Sequence, residues 1–137
     1  MGLARYGLHD ALLALFEGML CMSQFMHLHR LPELICGFCR ETGEAPTRYP
    51  VACIPQAWTA ASVFGLLDAL LGFSFEPAAE RVHITRPVLP DYVDEIHISG
   101  LPIGEGQMDL LLRRHLRDVA VNVLQKRGNG ELVLTSG

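Results

Sequence analysis

Three side chains that can do chemistry stand close together in the first half of the sequence. Glu33 follows a proline in the segment Leu31–Leu34, and Gln56 and Trp58 come after an irregular, proline-containing stretch. A carboxylate in partly apolar surroundings suits general acid or base work. A tryptophan offers a flat face to a sugar ring, and a glutamine can donate and accept hydrogen bonds with hydroxyl groups. These residues indicate a candidate active-site segment.

Each of these residues also has a purely structural interpretation. Glu33 can cap a helix or pair with Arg30 at the surface, Trp58 can fill a core, and Gln56 can satisfy backbone groups of the preceding loop. No second carboxylate is paired with Glu33 in a recognisable motif. The spacing alone therefore favours the structural roles.

Cys36 and Cys39 have the CxxC spacing of redox motifs and of half a zinc site. His27, His29 and Cys53 are near enough in the sequence to complete four ligands. However, a thioredoxin-type motif opens a helix after a strand, and no strand is expected before Cys36. The pattern favours two buried, inert thiols and leaves a zinc or thiol-redox protein as an alternative.

The composition describes one apolar domain with few charges. Of the 137 residues 50% are apolar and 19% are charged, compared with about 25% charged in a typical soluble domain. The formal net charge of −4 and the lack of a basic run argue against a nucleic-acid partner. No convincing secretory signal is present, so we expect a cytoplasmic protein with reduced cysteines.

The first apolar helix is predicted from residues that recur at helical spacing between Leu8 and Met26. It should end near His27–His29, because Pro32 disfavours helical geometry in the residue before it. Gly18 in its middle is expected to mark close contact with a neighbouring helix.

The second helix should begin at Pro55 and run to about Leu71, where Gly72 stops it. Its polar residues, Asp68 among them, favour a helix buried in protein over a membrane span. The irregular loop of residues 30–54 connects the two helices and contains the candidate site. Two helices cannot cover each other on every side, so we expect either a homo-oligomer or further helices that precede this segment.

From residue 76 onward the apolar period changes to two. Alternating apolar residues, separated by glycine and proline turns, predict four or five short antiparallel strands with one packed face. Charged residues at strand ends and turns, Arg86 among them, are interpreted as a solvated face without chemistry. The sequence thus divides into a helical region, 1–75, and an antiparallel β region, 76–137.

Several short motifs follow one another in the order and at the approximate spacing of a known family. They are Arg5-Tyr6-Gly7, Arg30–Leu34 with Cys36-Gly37-Phe38, Tyr49–Cys53, Pro55–Trp58 and the downstream Arg86–Pro90. In these motifs the chain resembles the C-terminal end of glycogen-debranching enzymes of the amylo-alpha-1,6-glucosidase family, which are related to the glucoamylases. The similarity covers nearly the whole chain, and its two central motifs together are fairly specific.

The resemblance implies an α+β chain made of the last two helices of an (α/α)6 toroid followed by a small antiparallel sheet. It implies an alpha-glucan or oligosaccharide substrate, Glu33 as the general base of an inverting glycosidase, and Gln56 and Trp58 as glucose contacts. It implies no metal or other cofactor. The family's catalytic acid lies on earlier helices, and no aspartate of this chain aligns with it. The chain by itself is therefore expected to be inactive.

A second interpretation is a non-catalytic module that binds carbohydrate or a protein partner. A monomer whose sheet covers its helices would favour that module. Association through the helices would favour the glycosidase fragment.

Overall fold

A computed structural model describes residues 2–41, 43–116 and 118–135. These residues form three α-helices, α1 (Gly2–Arg5), α2 (His9–Gln24) and α3 (Ala57–Leu71), and two three-stranded sheets. The expected (α/α)6 toroid is wrong, because the described part of the chain is a small α+β fold without a ring of helices. The two long helices, from which a homo-oligomer or further helices were expected, keep several apolar side chains exposed.

The first long helix, α2, buries one side only. Leu12 is 1% exposed, and Phe16 packs beside it against α3. Asp10 lies in the first turn, where a carboxylate faces the positive end of the helix dipole. The helix ends at Gln24, slightly earlier than predicted, and a short 3-10 helix over His27–His29 follows.

The second long helix, α3, begins two residues later than predicted. Gln56 is its N-cap, and Pro55 precedes the helix after a cis peptide bond. The predicted end at Leu71 is confirmed: Gly72 adopts a left-handed φ of 65°, and its N–H donates to the Asp68 carbonyl. A side chain at Gly72 would overlap the carbonyl of Thr85, so glycine also permits close approach of the helix end to the sheet. Within the described ranges, no helix has the length and apolar content that a bilayer crossing requires.

Six strands make up the rest of the described fold. They are β1 (Phe73–Glu76), β2 (Arg81–Thr85), β3 (Glu95–Ile103), β4 (Gly106–Arg114), β5 (Val119–Arg127) and β6 (Glu131–Thr135). The first sheet has the order β1-β2-β6, and the second has the order β3-β4-β5. Five of these strands coincide with predicted alternating segments. β1 was not predicted, because the alternating pattern was placed from residue 76 onward and no element was assigned between Gly72 and that point.

The prediction of an all-antiparallel β region is wrong in one respect. β2 pairs in parallel with β6, and Arg81 lies opposite Glu131. All other strand pairs are antiparallel. Because the second sheet lies between β2 and β6 in sequence, alternation within each strand carries no information about this pairing.

The main core joins the two sheets. Val82 and Ile84 from β2 meet Met108, Leu110 and Leu112 from β4, and all five are almost fully buried. Period-two alternation explains this packing, since every second side chain of a strand points to the same face. Leu71 at the end of α3 joins the same cluster and ties the helical region to the sheets.

The helical region has a smaller core and a more apolar surface. Its cluster of buried residues consists of Leu12, Ala69 and Leu70. Phe64 is 71% exposed, and Leu15, Leu20 and Val63 are exposed as well. The expected contact at Gly18 is wrong, because a side-chain carbon added there would meet no atom within 4 Å. These helices therefore leave apolar surface that nothing in the described structure covers.

Candidate active-site segment

The two ends of the loop that carries Glu33 are hydrogen-bonded to each other. The N–H of Glu33 donates to the carbonyl of Cys53 at 2.9 Å, and the N–H of Cys53 donates to Oε2 of Glu33 at 3.3 Å. A further pairing between Ile35 and Arg48 joins the same two segments. The Glu33 side chain is half-buried and is oriented by a backbone donor 20 positions away in the sequence.

A buried threonine fixes this loop to the start of α3. The hydroxyl of Thr59 is 3.0 Å from the Leu31 carbonyl and 2.7 Å from the Gln56 carbonyl, and Thr59 is 3% exposed. Because Leu31 is buried and lies two residues before Glu33, this contact holds the glutamate near the first turn of α3. The sequence interpretation did not include Thr59, although a threonine one residue after Trp58 is in position for such a contact.

Gln56 and Trp58 occupy this first turn in different ways. The Oε1 atom of Gln56 accepts a hydrogen bond from the N–H of Ala57 at 3.1 Å, so this oxygen contacts the first residue of α3 and not the preceding loop, which the structural interpretation proposed. Its amide nitrogen remains a donor for other groups. Trp58 is 57% exposed, so its ring does not fill a core and presents a face to solvent. The fold therefore brings the loop of Glu33, the cap Gln56 and the open indole of Trp58 to the same end of α3.

The other acidic residues of the same loop, Glu41 and Glu44, contact each other. Oε2 of Glu44 accepts a hydrogen bond from the N–H of Glu41 at 3.0 Å, and the Arg40 side chain contacts the Glu44 carbonyl. Glu44 thus closes a turn in the loop. Among the residues that the structure describes, the one hydrogen bond to the Glu33 carboxylate comes from the backbone N–H of Cys53.

The CxxC cysteines lie further along the loop. Cys36 is half-buried, and its Sγ is 3.8 Å from the Arg48 carbonyl, whereas Cys39 is exposed. The expectation that both thiols are buried is therefore wrong for Cys39. All four cysteines are free, and in the described ranges no group of three or more His, Cys, Asp or Glu side chains is arranged to hold a metal ion.

Comparison with protein-family models, with curated proteins and with solved structures finds no match to this chain. The resemblance to the debranching enzymes, and the roles of Glu33, Gln56 and Trp58 that it implies, stay predictions.

A second concentration of polar and aromatic side chains lies at the opposite end of α3. It includes Arg5, Asp68 and Arg86, which come from three separate parts of the chain. Sequence reasoning missed it, because Arg86 was interpreted as part of a solvated face and no motif joins it to Arg5.

Proposed function

We propose that this chain is part of a glycoside hydrolase that cleaves alpha-1,6 or related alpha-glucosidic linkages in glycogen-like glucans. The main support is the placement of Glu33 beside the helix turn that carries Gln56 and the exposed ring of Trp58. The order of the sequence motifs supports it independently. The free cysteines agree with a reducing compartment, and we place the protein in the cytoplasm.

In this proposal Glu33 is the general base of an inverting reaction. Its carboxylate takes a proton from a water molecule, the water oxygen bonds to the anomeric carbon, and the glycosidic bond breaks. A separate carboxylic acid, about 6.5–9.5 Å from Glu33, gives its proton to the leaving oxygen. The hydrogen bond from the Cys53 N–H holds one oxygen of Glu33 and leaves the other to face the water.

The acid must come from protein that contacts the uncovered helices. Exposed side chains such as Phe64 and Leu20 mark the surface where a second copy or further helices would pack. We therefore expect the chain alone to bind a glucan weakly and not to cleave it. No metal or cofactor takes part in the proposed reaction.

The first test uses the fact that Trp58 is the one tryptophan of the chain. Intrinsic fluorescence therefore reports directly on the candidate site. Titration with isomaltotriose, an alpha-1,6-linked glucose trimer, should shift the emission to shorter wavelength as a sugar ring covers the indole. A branched limit dextrin should do the same at lower concentration. Unchanged emission at millimolar sugar would contradict the site.

The second test measures glucose release from a 1,6-branched limit dextrin. The isolated chain should release none, whereas an assembly that supplies the acid should be active and should lose activity with Glu33→Gln. Glu41→Gln is the matched control, since Glu41 lies in the same loop at a distance in sequence from the candidate base. Turnover that Glu33→Gln leaves untouched would overturn the assignment.

A second candidate is a non-catalytic carbohydrate-binding module. The exposed indole of Trp58 favours it, because a ring on a fixed helix can bind a sugar without any acid. In that case isomaltotriose would shift the fluorescence, Glu33→Gln would leave binding unchanged, and no assembly containing the chain would release glucose. A zinc protein would instead show one bound metal per chain in elemental analysis.

A further inference from the structure

A cleft of about 660 Å³ opens where the helical region meets the first sheet. It lies between α1, the start of α2, the end of α3 and the strands β1 and β2. Asp68 in its wall follows Trp58 by ten residues, which corresponds to about 15 Å along the helix axis. The cleft is therefore separate from the candidate active-site segment, and its volume is in the range that binds small molecules.

The lining of this cleft is more basic than the chain as a whole. Arg5 and Arg86 contribute two positive charges and Asp68 one negative charge, which gives +1 without His9, whereas the whole chain carries −4. Within the described ranges, neither arginine has a carboxylate within 4 Å. Two guanidinium groups without an internal partner are suited to an anion, and arginine geometry matches phosphate oxygens well.

Arg86 is held at the cleft in an unfavourable backbone conformation. Its φ is 45°, in the left-handed region, although it precedes Pro87, and a following proline favours extended geometry. The N–H of Arg86 donates to the Thr135 carbonyl at 2.9 Å, and the N–H of Thr85 donates to the Gly72 carbonyl at 3.0 Å. These bonds fix the position from which the arginine side chain leaves the sheet. Such strained positions concentrate at binding sites.

The aromatic residues that line the cleft belong to β1, an edge strand of the first sheet. Phe73 and Phe75 lie on the same face of the strand, with ring centroids 6.0 Å apart and planes inclined by 21°. Phe73 packs against the main core, whereas Phe75 is largely exposed. The pair therefore offers a supported, flat apolar surface next to the arginines.

We propose that this cleft binds a small organic phosphate, meaning a phosphate monoester of a sugar, with or without an attached nucleobase. Arg5 and Arg86 bind the phosphate, and the sugar or nucleobase ring packs against Phe75. The Asp68 carboxylate accepts a hydrogen bond from a ring hydroxyl. A sugar phosphate and a nucleoside monophosphate share this chemistry. The site goes beyond the proposed glycosidase function and does not depend on it.

The test is calorimetric titration of the full chain with glucose 6-phosphate, AMP, inorganic phosphate and glucose. At least one of the two ring phosphates should bind more tightly than inorganic phosphate or glucose. If glucose 6-phosphate alone binds, the ring is a sugar; if AMP alone binds, it is a nucleobase. Binding should leave the emission of Trp58 unchanged, because the two sites lie at opposite ends of α3. An emission change or no binding by either compound would overturn the proposal.

Variants locate the site. Arg86→Gln should weaken binding about tenfold or more, as expected for loss of a charged hydrogen bond. Arg5→Gln should do the same, and it avoids the strained backbone at residue 86. The control Arg113→Gln removes an equal charge from β4, where Arg113 pairs with Glu95 at 3.1 Å, and should leave binding unchanged. Equal weakening by all three variants, or equal affinity for inorganic phosphate, would contradict a cleft built for a ring phosphate.

Discussion

The β region and the helical region bury their apolar residues to different extents. In the β region, β2 and β4 place fully buried residues such as Ile84 and Leu110 against each other. In the helical region, Leu12 is well buried but Phe64 remains mostly exposed. Each buried Å² of apolar surface contributes about 25 cal/mol, so the sheets supply most of the stability. Two facing sheets can cover each other's apolar faces, whereas the two long helices leave part of their apolar surface exposed.

The largest effect should come from the core between the sheets. Leu110 is 0% exposed, and Leu110→Ala should lower the free energy of unfolding by about 2–5 kcal/mol through lost burial and a residual cavity. The matched control is Leu124→Ala on β5, where the side chain is 54% exposed and the loss should stay below about 1 kcal/mol. Urea denaturation measures both. Similar losses for the two variants would break the assignment of the core to this interface.

The close contact between the end of α3 and β2, where the helical and β regions meet, should give the next largest effect. Gly72→Ala places a side chain against the Thr85 carbonyl at a left-handed backbone position, and it should destabilise the protein by about 1–3 kcal/mol. Gly18→Ala is the opposite case, because no atom lies within 4 Å of the added carbon in the middle of α2. That variant should stabilise by up to about 1 kcal/mol. Thermal unfolding measures both variants. Melting temperatures that shift in the same direction would contradict the expected difference between these two glycine positions.

The smallest effect concerns the ion pair that joins β2 to β6. Arg81 donates to Glu131 at 2.7 Å, and this hydrogen bond lowers the pKa of Glu131 below its ordinary value. The folded pKa is then below the unfolded one, about 4.3. The stabilisation is complete above the unfolded pKa and disappears as the pH falls through the folded pKa, since the unfolded chain binds more protons there.

Urea midpoints at about pH 7 and about pH 3.5 test this ion pair. Between the two pH values, Glu131→Gln should lose less stability than the wild-type protein does. Glu105→Gln, in the turn between β3 and β4, should keep the wild-type difference, because Glu105 forms no ion pair within the described residues. An unchanged pH dependence in Glu131→Gln would show that the pair contributes nothing measurable.

Local signals predicted much of the secondary structure. Gly72 marked the end of α3, because glycine tolerates the left-handed cap, and alternating residues marked β2 through β6. The parallel pairing of β2 with β6 was missed, since it depends on contacts between residues about 50 positions apart. The toroid was implied by the resemblance to the debranching enzymes, and the apolar helix surfaces agreed with it, but such surfaces do not reveal what covers them.

The candidate site was predictable only in part. The side chains of Glu33, Gln56 and Trp58 could be selected by type, yet Thr59 and Cys53, which fix the loop, carry no comparable signal in the sequence. The cleft at the other end of α3 has both Arg5 and Arg86 in its lining. This placement depends on the tertiary arrangement, which periodicity does not predict.

The place of β6 in the first sheet sets an order for folding on the ribosome. β3, β4 and β5 are neighbours in sequence and can pair as soon as they leave the exit tunnel. β2 emerges earlier but must wait for β6, synthesised last of the strands, before its second edge is paired. Until then that edge is open to pairing with another nascent chain, so protection by chaperones should matter most during this interval.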